Sequence, residues 1–308
     1  MTELWQVGIV QRPLAAVMTQ GLEGAAIVWL PEPGPFRFNA DPFGLWQDGR
    51  FTALVEAYDY RNKRGEIHYY TYDSVRRLTD WGVALKTPFH LSYPQLIRHG
   101  GHIYMLPEAH RSGRLTLYRA VDFPSAWEPV RALLDIPTID ASVFEHDGRW
   151  WMAYSLPGAD NRAMRELHMA FADDLMGPWT THPGNPLRTG LDASRPGGQP
   201  VAIDGVPHLP MQDCTGGYGA GLNLLRLDDL TPARFAATVV RHFAPGALHP
   251  RFGDGLHTLS GDGDVTLIDV KRLDRSPGRW RIDLRRRLGR WLRWDAQWPD
   301  IQIDGPLR

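Results

Sequence analysis

The stretch Asn39-Ala40-Asp41-Pro42-Phe43, followed by Asp48-Gly49 and the apolar run Phe51 to Glu56, decides the fold because it recurs. An Asp-Gly pair between apolar runs is a strong hairpin signal, since a two-residue turn that follows strand twist needs φ > 0 at both positions. Further units of this kind read Tyr93-Pro94-Gln95 with Gly100-Gly101 and His102 to Glu108, then Asp140-Ala141-Ser142 with Asp147-Gly148 and Trp150 to Ser155. Arg195-Pro196 with Asp204-Gly205 and Val206 to Gln212 makes a fourth, and His249-Pro250 with Asp254-Gly255 and Leu256 to Ser260 a shorter fifth. Their first residues lie 52, 47, 55 and 54 positions apart. Eight residues beyond the first turn residue stand Glu56, Glu108, Ser155 and Gln212.

Each unit continues into a third strand, at Glu66–Tyr72, Arg114–Ala120, Leu167–Ala172, Leu222–Leu227 and Val265–Val270. A fourth follows near Trp81, Trp127, Trp179 and Phe235–Val240, where the Trp residues suit an outer strand covering the gap to the next unit. Four-stranded units at this period predict an all-β, five-bladed β-propeller over residues 1–272. A β-sandwich with accidental spacing is the alternative, and the repeated register argues against it. The fifth unit lacks a fourth strand, which the N-terminal segment Leu4–Val10 can supply, closing the ring and removing a free edge.

The bulk composition agrees. The 308 residues include 31 Gly, 25 Pro and 12 Trp, a mixture suited to short strands and turns. A net charge of −1 gives no field that gathers nucleic acid. The single cysteine, Cys214, excludes an internal disulfide framework and a multi-cysteine zinc site. A start without a signal-peptide pattern, and no long apolar run, lead us to expect a soluble cytoplasmic protein. Residues 273–308 form a basic extension, with Leu284, Leu288, Trp291 and Leu292 at helical spacing. Such a helix either lies on an anionic membrane surface or packs on the propeller rim, and rim packing is the expectation.

In a propeller the innermost strands line one channel, so registered positions converge. Asp41, Tyr93, Asp140, Arg195 and His249 are expected in one ring, with Glu56, Glu108, Ser155 and Gln212 in a second beside it. Carboxylates brought together in this way can act as general acid and base if their environments separate their pKa values. Glycoside hydrolysis needs two such carboxyl groups flanking the bond, and Tyr58, Tyr60, Tyr93, Tyr104 and Tyr218 offer faces for sugars. Asp213 and His257 fall near the expected site. His249 and His257 with Asp41 or Asp140 lack compact metal-ligand spacing, so neither metal nor other cofactor is expected. The glycine-rich stretch 216–221 precedes a strand rather than a helix and is read as a loop, not a nucleotide fingerprint.

Ala40-Asp41-Pro42-Phe43, His90-Leu91-Ser92-Tyr93-Pro94, Leu106-Pro107-Glu108, Val143–Gly148, Gly177-Pro178-Trp179 and Gln212-Asp213-Cys214 together resemble a known family. It is the five-bladed propeller domain at the N-terminus of plant glucosamine inositolphosphorylceramide transferases, and the resemblance covers about residues 4–272. That domain is similar in architecture to glycosidases of families 43, 32 and 130. The resemblance implies Asp41 as base or nucleophile and Asp140 as the residue that modulates and orients. Where family-43-like enzymes carry a general-acid Glu, this chain has Arg195, whose guanidinium does not release its proton. Glu108, and after it Glu56, then become the candidate acids. Arg195 with His249 would clamp a phosphate, a nucleotide diphosphate or an acidic sugar. The expected function is cleavage or transfer of a glycosyl unit on a small-molecule or glycan substrate. The alternatives are a non-catalytic sugar-binding propeller beside a glycosyltransferase, or a propeller adapted to non-sugar biosynthesis.

Overall fold

A computed structural model of the chain describes residues 2–276 together with Gly278, Trp280 and Leu284. It is a five-bladed β-propeller of antiparallel sheets. Blade one comprises Arg37–Gln47, Arg50–Asp59, Arg64–Tyr72 and Leu78–Leu85, from the axis outward. Blade two is Ser92–His99, His102–Glu108, Leu115–Asp122 and Ala126–Leu134. Blade three runs Ile139–His146, Arg149–Ser155, Glu166–Ala172 and Thr180–Thr181, with Arg188–Thr189 also paired to its third strand. The inner strand of blade four is broken into Arg195–Pro196 and Val201–Ile203, before Val206–Asp213, Gly221–Thr231 and Arg234–Phe243. The expected basic helix of 273–308 lies, from residue 277 on, outside the described residues save Gly278, Trp280 and Leu284. No described helix is long and apolar enough to cross a membrane.

Alternation along the strands builds the ring, because successive side chains point to opposite faces of a sheet. In blade one Ala53 and Val55 pack with Val7, Ile9 and Leu267 of blade five. Leu54, between them, packs with Met105 and Tyr118 of blade two. Similar clusters join blades two and three, three and four, and four and five. Each fully buried side chain of Leu or Ile size contributes roughly 1.5–3 kcal/mol.

Four hairpins turn where the sequence indicates, at Asp48-Gly49, Gly100-Gly101, Asp147-Gly148 and Asp204-Gly205, with φ of 48 to 79° at both turn residues. Blade five differs from expectation. Its inner strand is Leu259–Asp262, and the chain turns at Gly263-Asp264, with φ of 60° at Gly263, into Val265–Asp274. Asp254-Gly255 makes no hairpin; Gly255 bridges Lys271, and a Cβ there would lie 2.2 Å from the Gly219 carbonyl oxygen. That glycine serves close backbone approach rather than a turn. His249 is therefore displaced from the ring and packs against Trp29 and Phe252. The N-terminus closes the blade, giving two strands rather than one: Thr2–Val10 as third and Ile27–Trp29 as fourth.

The outer tryptophans also split. Trp127 and Trp179 pack into inter-blade clusters and donate to the carbonyls of Pro124 and Leu175, at 2.8 and 3.0 Å. Trp81 is 49% exposed and does not cover the gap.

Candidate functional site

Three of the inner strands carry a β-bulge at the registered position. Pairing slips between Ala40 and Phe43, between Ser92 and Gln95, and between Ile139 and Ser142. Asp41, Tyr93 and Asp140 there adopt φ of 50, 47 and 51°. Left-handed backbone at a non-glycine residue costs on the order of 1–3 kcal/mol and persists only where neighbours hold it. A bulge re-aims its side chain; here all three are buried about one axis.

A cavity of about 230 Å³ opens over these residues. Blade one supplies Phe38, Asp41, Glu56, Tyr58 and Tyr60, and blade two supplies Ser92 and Glu108, with His90 just before its first strand. Arg195 and Tyr218 enter from blade four, His257 from the approach to blade five, and Glu3 and Trp5 from the N-terminal strand. Tyr93 is in the ring but beneath the cavity: its hydroxyl accepts from the Gly198 N–H at 2.6 Å and meets Ser142 Oγ at 2.8 Å. Tyr104 packs elsewhere, against His99 and His102. Asp213 also lies outside the wall, its Oδ1 accepting from Thr215.

Asp41 is anchored on a clamp that sequence reasoning missed. Asp269, fully buried in the apolar run Leu267–Val270, accepts four N–H groups. Its Oδ2 takes the Asp41 amide at 2.9 Å and His257 Nδ1 at 2.8 Å. Its Oδ1 takes the amides of His257 and Thr258 at 3.1 and 2.9 Å. The other nitrogen of His257, Nε2, lies 3.5 Å from Asp41 Oδ1, which also accepts from Thr258 Oγ1 at 3.1 Å. Trp5 stacks on the imidazole with centroids 3.7 Å apart. Asp41, His257 and Asp269 bring ligand-type atoms within 4.8 Å of one another. Because a carboxylate offers about four acceptor sites, the four donors occupy Asp269, and the group is a hydrogen-bonded clamp. Burial alone would lower the His257 pKa, but the flanking Asp269 and Asp41 raise it.

The carboxylates in the wall are driven apart. Burial, with Asp140 and Asp269 adding repulsion against His257 and Arg195, raises Asp41 to about 7. Burial and then the neighbouring Asp41 and Glu108 push Glu56 well above the usual carboxylate range. Glu108 is equally deep, and burial opposes its ionisation. Hydrogen bonds from the His110 ring and amide, both at 2.7 Å, nevertheless hold it below its ordinary value, and Ser92 Oγ donates at 2.9 Å. His90 Nδ1 accepts the Gly65 amide at 2.9 Å, which leaves Nε2 as the protonated nitrogen, 3.5 Å from Glu56 Oε1. Of the two candidate acids expected from sequence, Glu56 is shifted upward and Glu108 downward.

Asp140 and Gln212 form a layer behind the wall. Arg195 Nε donates to Asp140 Oδ2 at 2.7 Å, as does Gln212 Nε2 at 3.0 Å. The guanidinium also lies 5.0 Å from the centroid of the Tyr218 ring. Arg195 is therefore half-committed to Asp140, and the expected clamp with His249 is not formed. The position of blade five equivalent to Glu56 and Glu108 belongs to Lys271, eight residues beyond Gly263. Lys271 Nζ bonds the Tyr218 carbonyl, lies 3.5 Å from Glu3 and sits over the Trp5 ring. Two signals were available: a lone Asp in an apolar run, and Gly263-Asp264 as an alternative turn. Both were masked by the stronger Asp254-Gly255 pair.

Residues 30–246 match the family described as glucosamine inositolphosphorylceramide transferase 1, N-terminal. The chain is similar to glucosamine inositolphosphorylceramide transferase 1 of Oryza sativa subsp. indica, 32% identical over 213 residues, covering 65% of this chain and 28% of that protein. It is also similar to the protein of the same name from Arabidopsis thaliana, 30% identical over 207 residues, covering 65% of this chain and 27% of that one. The chain thus spans less than a third of the length of these relatives. Among solved structures, a β-1,2-mannobiose phosphorylase from Listeria innocua aligns with a TM-score of 0.55 at 13% identity, covering 83% of this chain and 95% of that one. A family 117 glycoside hydrolase from Zobellia galactanivorans aligns with a TM-score of 0.54 at 15% identity, covering 80% and 90%. At such identities the two structures share the fold.

Proposed function

The chain belongs to the family of the N-terminal part of glucosamine inositolphosphorylceramide transferase 1, and on that premise we propose that it is a carbohydrate-active enzyme working in the central cavity. It cleaves or transfers a glycosyl unit of a sugar or glycolipid. The observation that carries this reading is a pair of buried carboxyl groups in one cavity wall with different neighbours, Asp41 beside Thr258 and His257 and Glu56 beside His90, both raised chiefly by burial. Divergent environments of paired carboxyls are how acid and base roles are divided at neutral pH.

In this reading Glu56 keeps its proton and delivers it to the leaving oxygen. His90 Nε2–H stands 3.5 Å from Glu56 Oε1 and orients towards it in the substrate complex. Asp41, poised near neutrality and fixed by Thr258 and His257, acts as base or nucleophile. Asp140 orients Arg195, whose remaining N–H groups face the cavity and suit an anionic or phosphorylated substrate group. Tyr58, Tyr60, Tyr218 and Trp5 supply the aromatic wall. Hydrolysis, phosphorolysis and transfer differ only in which acceptor meets the glycosyl unit. The test is Asp41→Asn and Glu56→Gln, assayed singly on a panel of glycans, glycolipids and sugar nucleotides. Each is expected to lower kcat by about 10²–10⁴-fold, the usual contribution of a positioned acid or base. Undiminished turnover in either variant would remove that residue's role.

A second reading has its own support. The matched segment makes up 28% of the rice relative, so the transfer named for that protein has ample chain elsewhere to house it. The propeller is then a saccharide-recognition module beside a transferase. Binding by wild-type protein without turnover of any panel member would favour it.

A further inference from the structure

A second cavity, about 430 Å³, lies against blade one at the same end of the propeller as the central one. The face concerned packs its lower half on Val7, Ile9 and Leu267 of blade five. Its upper half, around Ala57, Asp59 and Glu66, stays open because the outer strand of blade five is only the three residues Ile27–Trp29. Trp81 stands at the rim, facing out where Trp127 and Trp179 face in. Phe38 and Tyr58, stacked with centroids 5.0 Å apart, belong to the walls of both cavities.

The chemistry of the lining suits a polyol. Arg37 meets Asp59 at 3.0 Å, and Arg64 and Lys86 meet Glu66 at 3.1 and 3.0 Å. Each carboxylate is paired, and the pairs leave a fence of fixed donors and acceptors. Asn39, fully buried at the floor, donates to the Tyr70 hydroxyl at 3.1 Å, while its Oδ1 has no partner among the described residues. A buried acceptor without a partner is uncommon in a folded protein. An exposed indole face beside such groups suits a sugar ring, apolar on its faces and hydroxylated at its edges. The volume is in the range of about 300–1,000 Å³ usual for small-molecule sites.

We propose that this outer cavity is a distal saccharide subsite, in which one sugar ring stacks on Trp81 while rings further along the same glycan reach over Phe38 and Tyr58 into the central cavity. The proposal rests on the central cavity taking a sugar, as argued above, and narrows its substrate to a glycan of several rings. It is tested by calorimetric titration of the otherwise intact Asp41→Asn chain with monosaccharides and a ladder of longer oligosaccharides of glucosamine, glucose and mannose. Adding Trp81→Ala is expected to weaken binding of the longer oligosaccharides about tenfold, within the range of one aromatic contact, and to leave monosaccharide affinity unchanged. Trp81→Phe restores most of the loss. Equal affinity for the longer sugars with and without the Trp81 ring overturns the subsite, as does the failure of every sugar in the panel to bind. The two readings fail separately. Full turnover by Asp41→Asn with Trp81-dependent binding intact removes the catalytic role and keeps the subsite. Lost turnover with indifferent Trp81 variants does the opposite.

Discussion

The two cavities that meet at Phe38 and Tyr58 are built from the same residue types and treat charge in opposite ways. In the central one Asp41, Glu56, Glu108, Asp140 and Asp269 are all buried, and five carboxyls face fewer nearby cations: Arg195 and the raised His257 and His110. In the outer one the two carboxylates have more basic partners than they need: Arg37 and Arg61 on Asp59, Arg64 and Lys86 on Glu66. The shifts follow. Asp41, Glu56 and Asp140 move up, chiefly by burial, whereas Asp59 and Glu66 move down. Burial with too few counter-charges makes groups that trade protons; half-burial with full pairing makes groups that hold still. The first suits a reaction and the second suits recognition, and the pair can be separated by treating both cavities alike.

The largest expected contrast comes from removing a carboxylate charge behind each cavity. Asp269→Asn keeps the shape but turns two acceptor sites into donors, facing either the two amides of His257 and Thr258 or the Asp41 amide and His257 Nδ1. Breaking a buried, hydrogen-bonded charge pair from one side costs about 3–5 kcal/mol. Chemical denaturation should show that loss as a lower midpoint at unchanged slope. A change below about 1 kcal/mol would mean that Asp269 is not what holds the blade-one bulge.

Next in size is the dependence on pH. The folded state binds the Asp41 proton up to about 7, whereas the unfolded chain releases it near the ordinary aspartate value of 3.8. Between those values the native state carries the extra proton, so stability falls as pH rises, at up to about 1.4 kcal/mol per pH unit. The raised His257 has the same sign: its contribution is whole below the unfolded value of 6.5 and is lost as pH passes the folded one. Activity runs the other way. With Asp41 as base, kcat/KM should climb about tenfold per pH unit below 7 and level off above it. A descending limb set by Glu56 should follow, and Glu56→Gln should abolish it in whatever activity remains. Thermal unfolding and rate profiles over the same buffers compare the two slopes directly. A flat rate profile across pH 5–7 would dissociate Asp41 from the chemistry.

Four of the five blades were legible because a two-residue turn with φ > 0 at both positions leaves a local mark, Asp-Gly or Gly-Gly, and strand alternation does the rest. The bulges were half-legible: Asp41-Pro42 and Tyr93-Pro94 place a proline within a strand, which a sheet tolerates only at an edge or bulge, whereas Asp140-Ala141 carries no such mark. Blade five was misread because its Asp-Gly pair satisfies a different demand, the approach of Gly255 to Gly219, while its real turn has Gly263 first. That slip hid Lys271 and displaced His249. Asp269 and the opposite shifts of Glu56 and Glu108 were illegible for a deeper reason. They depend on His110 reaching Glu108 at 2.7 Å while His90 Nε2 stands 3.5 Å from Glu56, and these are contacts of three-dimensional packing.

The smallest effect belongs to the outer cavity and is the control for the first. Glu66→Gln removes a charge that Lys86 and Arg64 bridge. Lys86 is 61% exposed along its side chain, so solvent re-hydrates it once the partner is gone, and half-exposed pairs of this kind contribute about 0.2–1 kcal/mol. Denaturation should place Glu66→Gln within that range of wild type, with turnover intact and longer-sugar affinity reduced only through one lost acceptor. A loss comparable to that of Asp269→Asn would show that the outer cavity also stores buried charge, and the division between a reacting and a recognising cavity would fall with it.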